Sequence, residues 1–340
     1  MSKVTLGPTG ITVEKQAFGC LPIQRLSVPD AVALLRRAVE GGMEFFDTAR
    51  MYSDSEEKVG IAFEGMRRKV YIATKSHAKT GEELREHLAV SLAKLRTEYV
   101  DLYQFHQATR CIRPGDGSGL YEAALEAKQQ GRIRHIGITT HRWQVALEAV
   151  ESGLYETLQY PVCYLANDKD MQVIEACKKA GVGLIAMKAM SGGLITNAAA
   201  SAAWLEQFDH VLPIWGVQRE RELEEFLSFV GAPPVLTDGL RQVIEQDKEQ
   251  LKGGFCRGCG YCMPCPMGIE INNCARMSLM IRRAPTAAWT DEKGRARMDR
   301  IKDCIRCGAC KAKCPYGLDI PTLLQENYRD YQEVLSGKSV

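Results

Sequence analysis

The cysteines are the residues whose spacing most directly indicates chemistry. Nine of the 13 lie between Cys256 and Cys314, in the runs Cys256-x2-Cys259-x2-Cys262-x2-Cys265-Pro266 and Cys304-x2-Cys307-x2-Cys310-x3-Cys314-Pro315. Three thiolates at two-residue gaps can bind one corner of a metal–sulfur cube, and the proline then makes the chain leave it. Zinc sites use two separated Cys-x2-Cys pairs, so the triplets favour iron–sulfur chemistry over zinc or a disulfide scaffold.

The second run resembles the bacterial ferredoxin motif, and the first is one residue shorter before its fourth cysteine. In ferredoxins of this type, the fourth ligand of each cluster comes from the other run. The resemblance implies two [4Fe-4S] clusters, with these two ligand sets: Cys256, Cys259, Cys262 and Cys314; Cys304, Cys307, Cys310 and Cys265. Two structural zinc sites, or one cluster beside a structural run, stay open as alternatives. We expect Cys274 to pack in the core, with a fallback role as a fourth ligand.

Four more side chains that suit proton chemistry follow strand-like segments in the first part of the chain. They are Asp47, Tyr52, Lys75 and His106. A lone Asp after a strand is typically a helix cap, and a lone His there is typically structural. All four on consecutive strand–helix units would meet at one rim if those units form a barrel, because barrel active sites lie where the strands end.

Alternating strand-like and helix-like segments predict the elements that position these residues. The predicted strands, after a hairpin over residues 4–13, are 16–19, 45–48, 70–74, 100–105, 136–140, 157–160, 183–187 and 212–216. Helix-like stripes such as Leu84, Leu88, Leu92 and Leu95 lie between them. Eight such units predict an α/β fold, a (β/α)8 TIM barrel. A doubly wound sheet is disfavoured because no Gly-rich dinucleotide turn follows the first strand.

The predicted organisation has three parts. They are the barrel over 1–235, a connector helix over 236–254, and a small ferredoxin-like α+β/α domain with a C-terminal helix over 255–340. The small domain is too short to rely on a hydrophobic core alone, so we expect its folding to depend on its metal.

Composition excludes several classes of protein. The 340 residues are 45% hydrophobic and 25% charged, with a net charge of +2, which fits a globular chain and gives no overall bias toward nucleic acid or a membrane. The first ten residues lack the apolar segment of a signal peptide, so we expect a cytoplasmic protein. Residues 282–313 depart from the near-neutral charge of the whole chain, because they contain ten basic and four acidic residues. This stretch either offsets anionic clusters as a solvated face or docks an acidic electron carrier, a ferredoxin or flavodoxin.

The first 230 residues resemble the aldo-keto reductases. The resemblance rests on Leu6-Gly7-x-Thr9-Gly10, on residues 46–56, on Ala73-Thr74-Lys75 and on Asp101-Leu102-Tyr103-x-x-His106. With the cysteine runs, the chain is similar to the iron–sulfur-containing branch of that superfamily. The resemblance implies a catalytic tetrad of Asp47, Tyr52, Lys75 and His106.

The resemblance also implies the role of each tetrad member in reducing a small-molecule carbonyl. Tyr52 would donate the proton as general acid, and Lys75 would lower the pKa of Tyr52. Asp47 would keep Lys75 charged and placed, while His106 would orient the carbonyl by hydrogen bonding.

A nicotinamide cofactor is implied as well. Its carboxamide would meet Thr139, Thr140 and Gln159, and its ring would stack on Tyr160 or Tyr164. Residues Ser191, Gly192, Gly193 and Leu194 resemble the pyrophosphate loop. The adenine end would meet Gly216, Arg219, Arg221 and Glu225. Glu222 would repel a 2′-phosphate, so NAD(H) stays an alternative to NADP(H), which we favour; Phe226 stands where relatives have Asn.

Three functions follow from the two halves together. The first is an NAD(P)H-dependent carbonyl reductase whose clusters are structural or regulatory. The second is a ferredoxin-linked electron-transfer reductase with a flavin or single-electron chemistry at the barrel mouth, because a hydride carries two electrons and a cluster passes one. The third is a non-catalytic redox sensor, which the intact tetrad argues against. We favour the oxidoreductase.

Overall fold

The chain folds into two compact units in a computed structural model that describes residues 3–337. The first unit runs to Ala189 and resumes over Ala198–Thr237, and the second combines Met190–Asn197 with the chain from Asp238 onward. The first two residues of the N-terminal segment and the last three of the predicted 255–340 domain lie outside the described residues.

The described residues of the first unit form a closed barrel of eight parallel strands, which confirms the predicted fold class. A two-stranded antiparallel hairpin, β1 and β2, precedes it. Around the barrel the strands follow chain order from β3 to β10, and β10 closes onto β3. The strands are β1 Lys3–Thr5, β2 Thr12–Glu14, β3 Ala17–Gly19, β4 Phe45–Asp47, β5 Tyr71–Ser76, β6 Val100–Phe105, β7 Ile133–Thr139, β8 Thr157–Pro161, β9 Gly183–Met187 and β10 Val211–Gly216.

Apolar side chains fill the barrel interior at the end where the strands begin. Phe45, Ala73 and Leu102 pack there with the hairpin residues Val4 and Leu6. The hairpin approaches so closely that a Cβ on Gly183 would lie 2.7 Å from the Leu6 carbonyl carbon. The interior changes from apolar to polar at the opposite end, where Asp47, Lys75 and Gln104 are all buried.

Among the described residues of the first unit, three helices begin at a residue whose side chain caps the helix. Ser27 accepts from the Asp30 N–H, Thr80 accepts from the Glu83 N–H, and Asn167 caps its helix through two N–H groups, each satisfying donors that a helix start leaves free. The helices of the first unit are α1 Val28–Glu40, α2 Ser55–Ala62, α3 Gly81–Lys94, α4 Leu120–Gln129, α5 Trp143–Glu151, α6 Asp168–Ala180, α7 Ala198–Leu205 and α8 Glu220–Leu227.

The second unit is built from short helices around a compact core. Its longer helices are α9 and α14, and the α14 side chains Leu324 and Tyr331 are buried in that core. The helices are α9 Asp238–Gln250, α10 Ile271–Cys274, α11 Met277–Arg283, α12 Glu292–Asp299, α13 Ala309–Lys313 and α14 Ile320–Leu335. Strands were also expected here, but residues 238–337 contain none. The cysteine runs instead form turns, in which Gly258, Gly260 and Gly308 have positive φ.

The boundary between the units differs in detail from the predicted one. The connector helix, expected over 236–254, is α9 and packs with the cysteine-rich unit. Within residues 3–337, no helix has both the length and the apolar character needed to cross a bilayer.

Candidate active site and cluster-binding segment

The structure brings the predicted tetrad to one end of the barrel. Asp47 is the last residue of β4, Lys75 lies near the end of β5, and His106 directly follows β6. Strand register aligns them, because Asp47 pairs with Ala73 and Lys75 pairs with Gln104. Tyr52 lies in the loop between β4 and α2. Three neighbouring strands therefore present their terminal side chains to one rim, as a parallel barrel requires.

A buried ion pair forms the centre of the site. Lys75 Nζ lies 2.7 Å from Asp47 Oδ2 and donates to the Thr48 carbonyl at 2.6 Å. Both side chains are at most 3% exposed. Burial alone would lower the pKa of Lys75, but Asp47 and Tyr52 outweigh it and raise that pKa above its usual value. Lys75 is therefore a fixed positive charge at the rim.

Two glutamine side chains hold the carboxylate of that pair. Gln104 Nε2 donates to Asp47 Oδ1 at 3.4 Å, and Gln159 Nε2 donates to Asp47 Oδ2 at 3.3 Å. Burial raises the pKa of Asp47, while Lys75 and the two amides oppose that shift. The sequence interpretation missed Gln104. The signal was available, since a polar residue at an inward-facing position of β6 lies two residues before His106.

Tyr52 and His106 lie beside this charge. The Lys75 ammonium is 5.0 Å from the centre of the Tyr52 ring, and the Tyr52 and His106 ring centres are 5.8 Å apart, nearly perpendicular. Burial raises the pKa of Tyr52, and Lys75 counteracts this only in part. Lys75 lowers the pKa of Tyr52, as predicted, but the net pKa is raised because the effect of burial is larger. Burial also holds the pKa of His106 well below its usual value, so the ring is neutral.

The residues predicted to meet the carboxamide lie on β7 and β8, at the same end of the barrel. The Thr139 hydroxyl accepts from the Gln107 N–H at 2.9 Å, and the Thr140 hydroxyl donates to the Ala108 carbonyl at 2.8 Å. These bonds anchor the chain after β6 to the end of β7. Their role toward a carboxamide stays a prediction, as does that of Gln159, whose Oε1 has no partner among the described residues.

The two tyrosines predicted to stack on the nicotinamide ring follow β8 closely or lie in it. Tyr160 is 2% exposed and its hydroxyl donates to Asp170 Oδ1 at 2.7 Å. Tyr164 is 1% exposed. Stacking by either ring stays a prediction.

The segment resembling a pyrophosphate loop belongs to the second unit. Ser191, Gly192 and Gly193 have φ values of 49°, 64° and 91°. Three consecutive positive φ values explain the glycines, because residues with a Cβ rarely adopt this conformation. The Gly192 carbonyl accepts from Arg276, and the Leu194 carbonyl accepts from Arg283.

The residues predicted for the adenine end lie at the start of α8. Gly216 ends β10, and Arg219, Arg221 and Glu225 are exposed. Glu222, expected to repel a 2′-phosphate, accepts from the Gln218 and Arg219 N–H groups instead.

Phe226 follows on the same helix, at the position where the family resemblance predicts Asn. It is 5% exposed and stacks on Trp215 with ring centres 4.4 Å apart. This position is therefore a core residue in this chain.

One recess in the second unit is lined by cysteines of both runs. Its wall includes Cys262 and Cys265 of the first run, and the apolar side chains Ile269 and Leu324 lie beside them. The thiols of the second run that line it are Cys304, Cys307 and Cys310. These cysteines include the four ligands predicted for the second cluster, together with Cys262, which was predicted for the first; the ligand sets stay a prediction. Among the described residues, no three His, Cys, Asp or Glu side chains converge closely enough to hold a single metal ion.

The remaining predicted ligands are less completely assembled. The Cys262 thiol interacts electrostatically with Cys256 and Cys259, and burial with these neighbours raises its pKa to about 12. Cys314 packs against the same core, without a described contact to these three thiols. Cys274 is fully buried and its Sγ lies 3.6 Å from the Arg297 carbonyl oxygen, as a packing residue would.

Most of the basic residues between 282 and 313 are neutralised. Carboxylates outside this stretch pair with four of them, and carboxylates inside it pair with two more. The pairs are Arg282–Asp330, Arg283–Asp247, Arg297–Glu270, Lys311–Asp319, Arg300–Asp303 and Lys302–Asp299. The surplus of charge in the sequence is thus largely offset in the fold.

Family models match both parts of the chain. The aldo/keto reductase family model matches residues 15–228, and the 4Fe-4S dicluster domain model matches residues 255–319. An eight-stranded barrel with Asp, Tyr, Lys and His at its rim defines the class of protein. The chain belongs to the aldo/keto reductase family and carries a 4Fe-4S dicluster domain at its C-terminal end.

Relatives by sequence are oxidoreductases of this family. The chain is 27% identical over 302 residues to the uncharacterized oxidoreductase YrpG of Bacillus subtilis, covering 74% of this chain and 90% of the relative. It is 30% identical to L-galactose dehydrogenase of Arabidopsis thaliana, covering 56% and 66%. It is 36% identical to the methylglyoxal reductase DkgB of Salmonella typhi, covering 52% and 67%.

Solved structures share the fold at lower identity. The aldo-keto reductase AKR11C1 from Bacillus halodurans, in its holo form, has a TM-score of 0.63 at 22% identity, covering 73% of this chain and 96% of that one. An aldo-keto reductase from Klebsiella pneumoniae in complex with NADPH has a TM-score of 0.63 at 20% identity, with the same coverage.

Replacing Asp47 by Asn is expected to destabilise the barrel by about 3–5 kcal/mol, because it leaves Lys75 as an uncompensated buried charge. The measurement is the free energy of unfolding from denaturant titration. The matched control is Glu64→Gln, which removes the same charge from an exposed pair with Arg96 and should cost less than about 1 kcal/mol. Equal costs for both variants would contradict the central role of the buried pair.

Proposed function

We propose that this protein is an NADPH-dependent reductase of small carbonyl compounds, with Tyr52 as general acid. The observation that carries the proposal is the buried pair of Lys75 and Asp47, whose Nζ–Oδ2 distance is 2.7 Å, with Tyr52 and His106 against it. Membership of the aldo/keto reductase family supports the reaction class.

Each side chain has a task that follows from its environment. When bound, the reduced nicotinamide supplies a hydride to the carbonyl carbon. Tyr52 has a raised pKa, so it stays protonated at neutral pH and delivers its proton to the carbonyl oxygen as negative charge develops there. Neutral His106 donates a hydrogen bond to the same oxygen, which orients the substrate. The Lys75 charge stabilises the tyrosinate left behind, and Asp47 holds Lys75 in place.

Three side chains support the preference for NADPH over NADH. Glu222 uses its carboxylate on the N–H groups of Gln218 and Arg219, and one oxygen lies 3.3 Å from the Arg219 guanidinium. Its charge is therefore partly offset where a 2′-phosphate would approach. Arg221 is exposed on the first turn of α8. We assign Arg221 to the 2′-phosphate, since guanidinium groups match phosphate geometry.

Tyr52→Phe is expected to lower kcat for carbonyl reduction by about 10²–10⁴-fold, because a positioned general acid contributes that much. Methylglyoxal and simple aldehydes are suitable probes, with NADPH oxidation followed by absorbance. NADPH affinity, measured separately by fluorescence, should stay unchanged because the phenol hydroxyl acts only on the carbonyl.

Tyr99→Phe is the control, since Tyr99 packs between Arg67 and Arg134 away from the site. The wild-type rate should persist to alkaline pH and fall only as the pH passes the raised pKa of Tyr52, because the proton donor is lost there. A Tyr52→Phe enzyme with the wild-type kcat would show that another group delivers the proton.

We also propose that eight cysteines hold two [4Fe-4S] clusters, with the fourth ligand exchanged between the runs. The recess that Cys262 and Cys265 line together with three thiols of the second run supports a shared site, because it brings the two runs into contact as an exchange of ligands requires. When bound, the clusters pass single electrons. The thiols fit such a group because five of them line one recess, and thiolates are the ligands that iron–sulfur clusters require.

Cys265→Ser is expected to halve the iron content, from about eight to about four iron atoms per chain, because it removes a ligand of the second cluster. Anaerobic purification, iron analysis and electron paramagnetic resonance measure this. Cys274→Ser, which changes a buried thiol outside the recess, should keep the full complement. Loss of iron in Cys274→Ser but not in Cys265→Ser would reverse the assignment.

A second candidate function, one-electron exchange with a small acidic carrier, is favoured by the exposure of the second run. Cys307 and Arg306 are exposed, and Ile305 is 63% exposed. An apolar side chain beside a basic one, at a turn that carries cluster ligands, suits docking of an acidic ferredoxin or flavodoxin. Charge complementarity of this kind mainly raises the rate of encounter.

Arg306→Glu is expected to slow electron transfer from a reduced acidic ferredoxin by about tenfold at low salt, with the difference shrinking as salt rises. Stopped-flow absorbance of the clusters measures the rate. Arg241→Glu places the same change on the exposed face of α9 and should have little effect. Equal rates in both variants would remove the 305–307 turn as the docking surface.

A further inference from the structure

Arg276, a buried arginine next to the first cysteine run, pairs with no carboxylate in the part of the chain that the structure describes. Arg276 is 8% exposed and lies between α10 and α11. Its Nη2 donates to the Gly192 carbonyl at 2.6 Å and lies 3.0 Å from Met280 Sδ. Its Nε makes no hydrogen bond within residues 3–337. One neutral carbonyl and one thioether are weak compensation for a guanidinium taken out of water.

Burying a charge is costly unless an opposite charge compensates it. Among the described residues of this unit, nine other basic residues pair with carboxylates, and most of those pairs are at the surface. Arg276 is more buried than any of these cations. Its hydrogen-bond partners within residues 3–337 are uncharged groups. The described residues around Arg276 supply no carboxylate, so a further anion beside the guanidinium would stabilise its charge.

The guanidinium lies against the turn that carries the first cysteines. A Cβ built on Gly258 would be 2.5 Å from Arg276 Nη1, so the group packs directly on the Gly258 backbone. Gly258 lies between Cys256 and Cys259, and its N–H is 3.4 Å from Cys256 Sγ. Burial lowers the pKa of Arg276, and a negative charge on Cys256 would oppose that shift. The missing anion is thus on the side of the cysteine turn.

We propose that Arg276 is the fixed counter-charge of the cluster bound by Cys256, Cys259 and Cys262, and that it selectively favours the reduced form of that cluster. The inference rests on the proposed binding of two clusters. A [4Fe-4S] cluster with four thiolates is an anion, and taking up one electron adds one negative charge. A positive charge held nearby in a poorly solvated site stabilises the more negative state more strongly.

The effect is confined to one cluster because the two cysteine turns differ in their surroundings. Cys256 and Cys262 are buried, whereas Cys307 in the second run is exposed. Cations near the second run, such as Arg306 and Lys311, are exposed and screened by water and salt. Arg276 is shielded from both. Its removal therefore shifts the reduction equilibrium of the first cluster and leaves the second unchanged.

The experiment compares holoprotein carrying Arg276→Gln, Arg276→Lys and the control Arg282→Gln. Arg282 is an exposed neighbour on α11 that pairs with Asp330. Iron content is measured first, and each protein is then reduced stepwise with dithionite while electron paramagnetic resonance follows the two clusters.

In Arg276→Gln, we expect the reduction equilibrium of one cluster to become about tenfold less favourable, which is about 59 mV for one electron. The other cluster should keep its midpoint. Arg276→Lys, which retains the charge, should shift less, and Arg282→Gln should match the wild type.

The possible results distinguish a failure of the Arg276 inference from a failure of the proposed binding of two clusters. Unchanged midpoints in Arg276→Gln, or an equal shift of both clusters, would overturn the role of Arg276. Where Arg276→Gln binds only one cluster, retention of both by Arg276→Lys supports the counter-charge, and loss in both variants overturns it in favour of packing. A wild-type protein that binds fewer than two clusters would instead refute the proposed ligand sets.

Discussion

The ion pair between Lys75 and Asp47 is the constraint on which the rest of the site depends. A buried pair is tolerable only if its remaining hydrogen-bonding capacity is met, and Gln104, Gln159 and the Thr48 carbonyl meet it here. The barrel must therefore be polar inside at the end where the strands finish. This accounts for the division of its interior, with Phe45 and Leu102 at one end and charged groups at the other.

The repeated strand–helix pattern made the fold of the first unit predictable from sequence. Strand-like segments over 100–105 and 183–187 are observed with the same bounds, because short apolar runs buried on both faces have no competing structure. The four predicted tetrad residues could be assigned to one rim because each lies at the end of a strand or in the loop after it. The net pKa of Tyr52 could not be predicted, because the balance between burial and the Lys75 charge depends on distances that only the fold sets. Gln104 could have been predicted, because it is a polar residue at an inward-facing position of a strand that is otherwise largely apolar.

The structure of the cysteine-rich unit was harder to predict because its sequence lacks the periodic hydrophobic pattern of the barrel. The resemblance to ferredoxins paired Cys265 with the second run, and the recess has Cys265 and Cys262 in its wall beside thiols of that run. Spacing could not reveal that carboxylates as distant in sequence as Asp247 and Asp330 neutralise the basic stretch. It also could not reveal that Met190–Asn197 belongs to this unit. Contacts between residues far apart in the chain decide these features, and a local pattern carries no information about them.

The loop over Ser191–Leu194 has a consequence for how the protein matures. Its Gly192 and Leu194 carbonyls are held by Arg276 and Arg283, which a ribosome adds more than 80 residues later. A nascent chain folds from its N-terminus, so the barrel strands can associate before these guanidinium groups exist. The loop can reach its final shape only when the cysteine-rich segment has been made and folded. The last local structure near the barrel to form is therefore set by a segment of the chain that is synthesised after all the barrel strands.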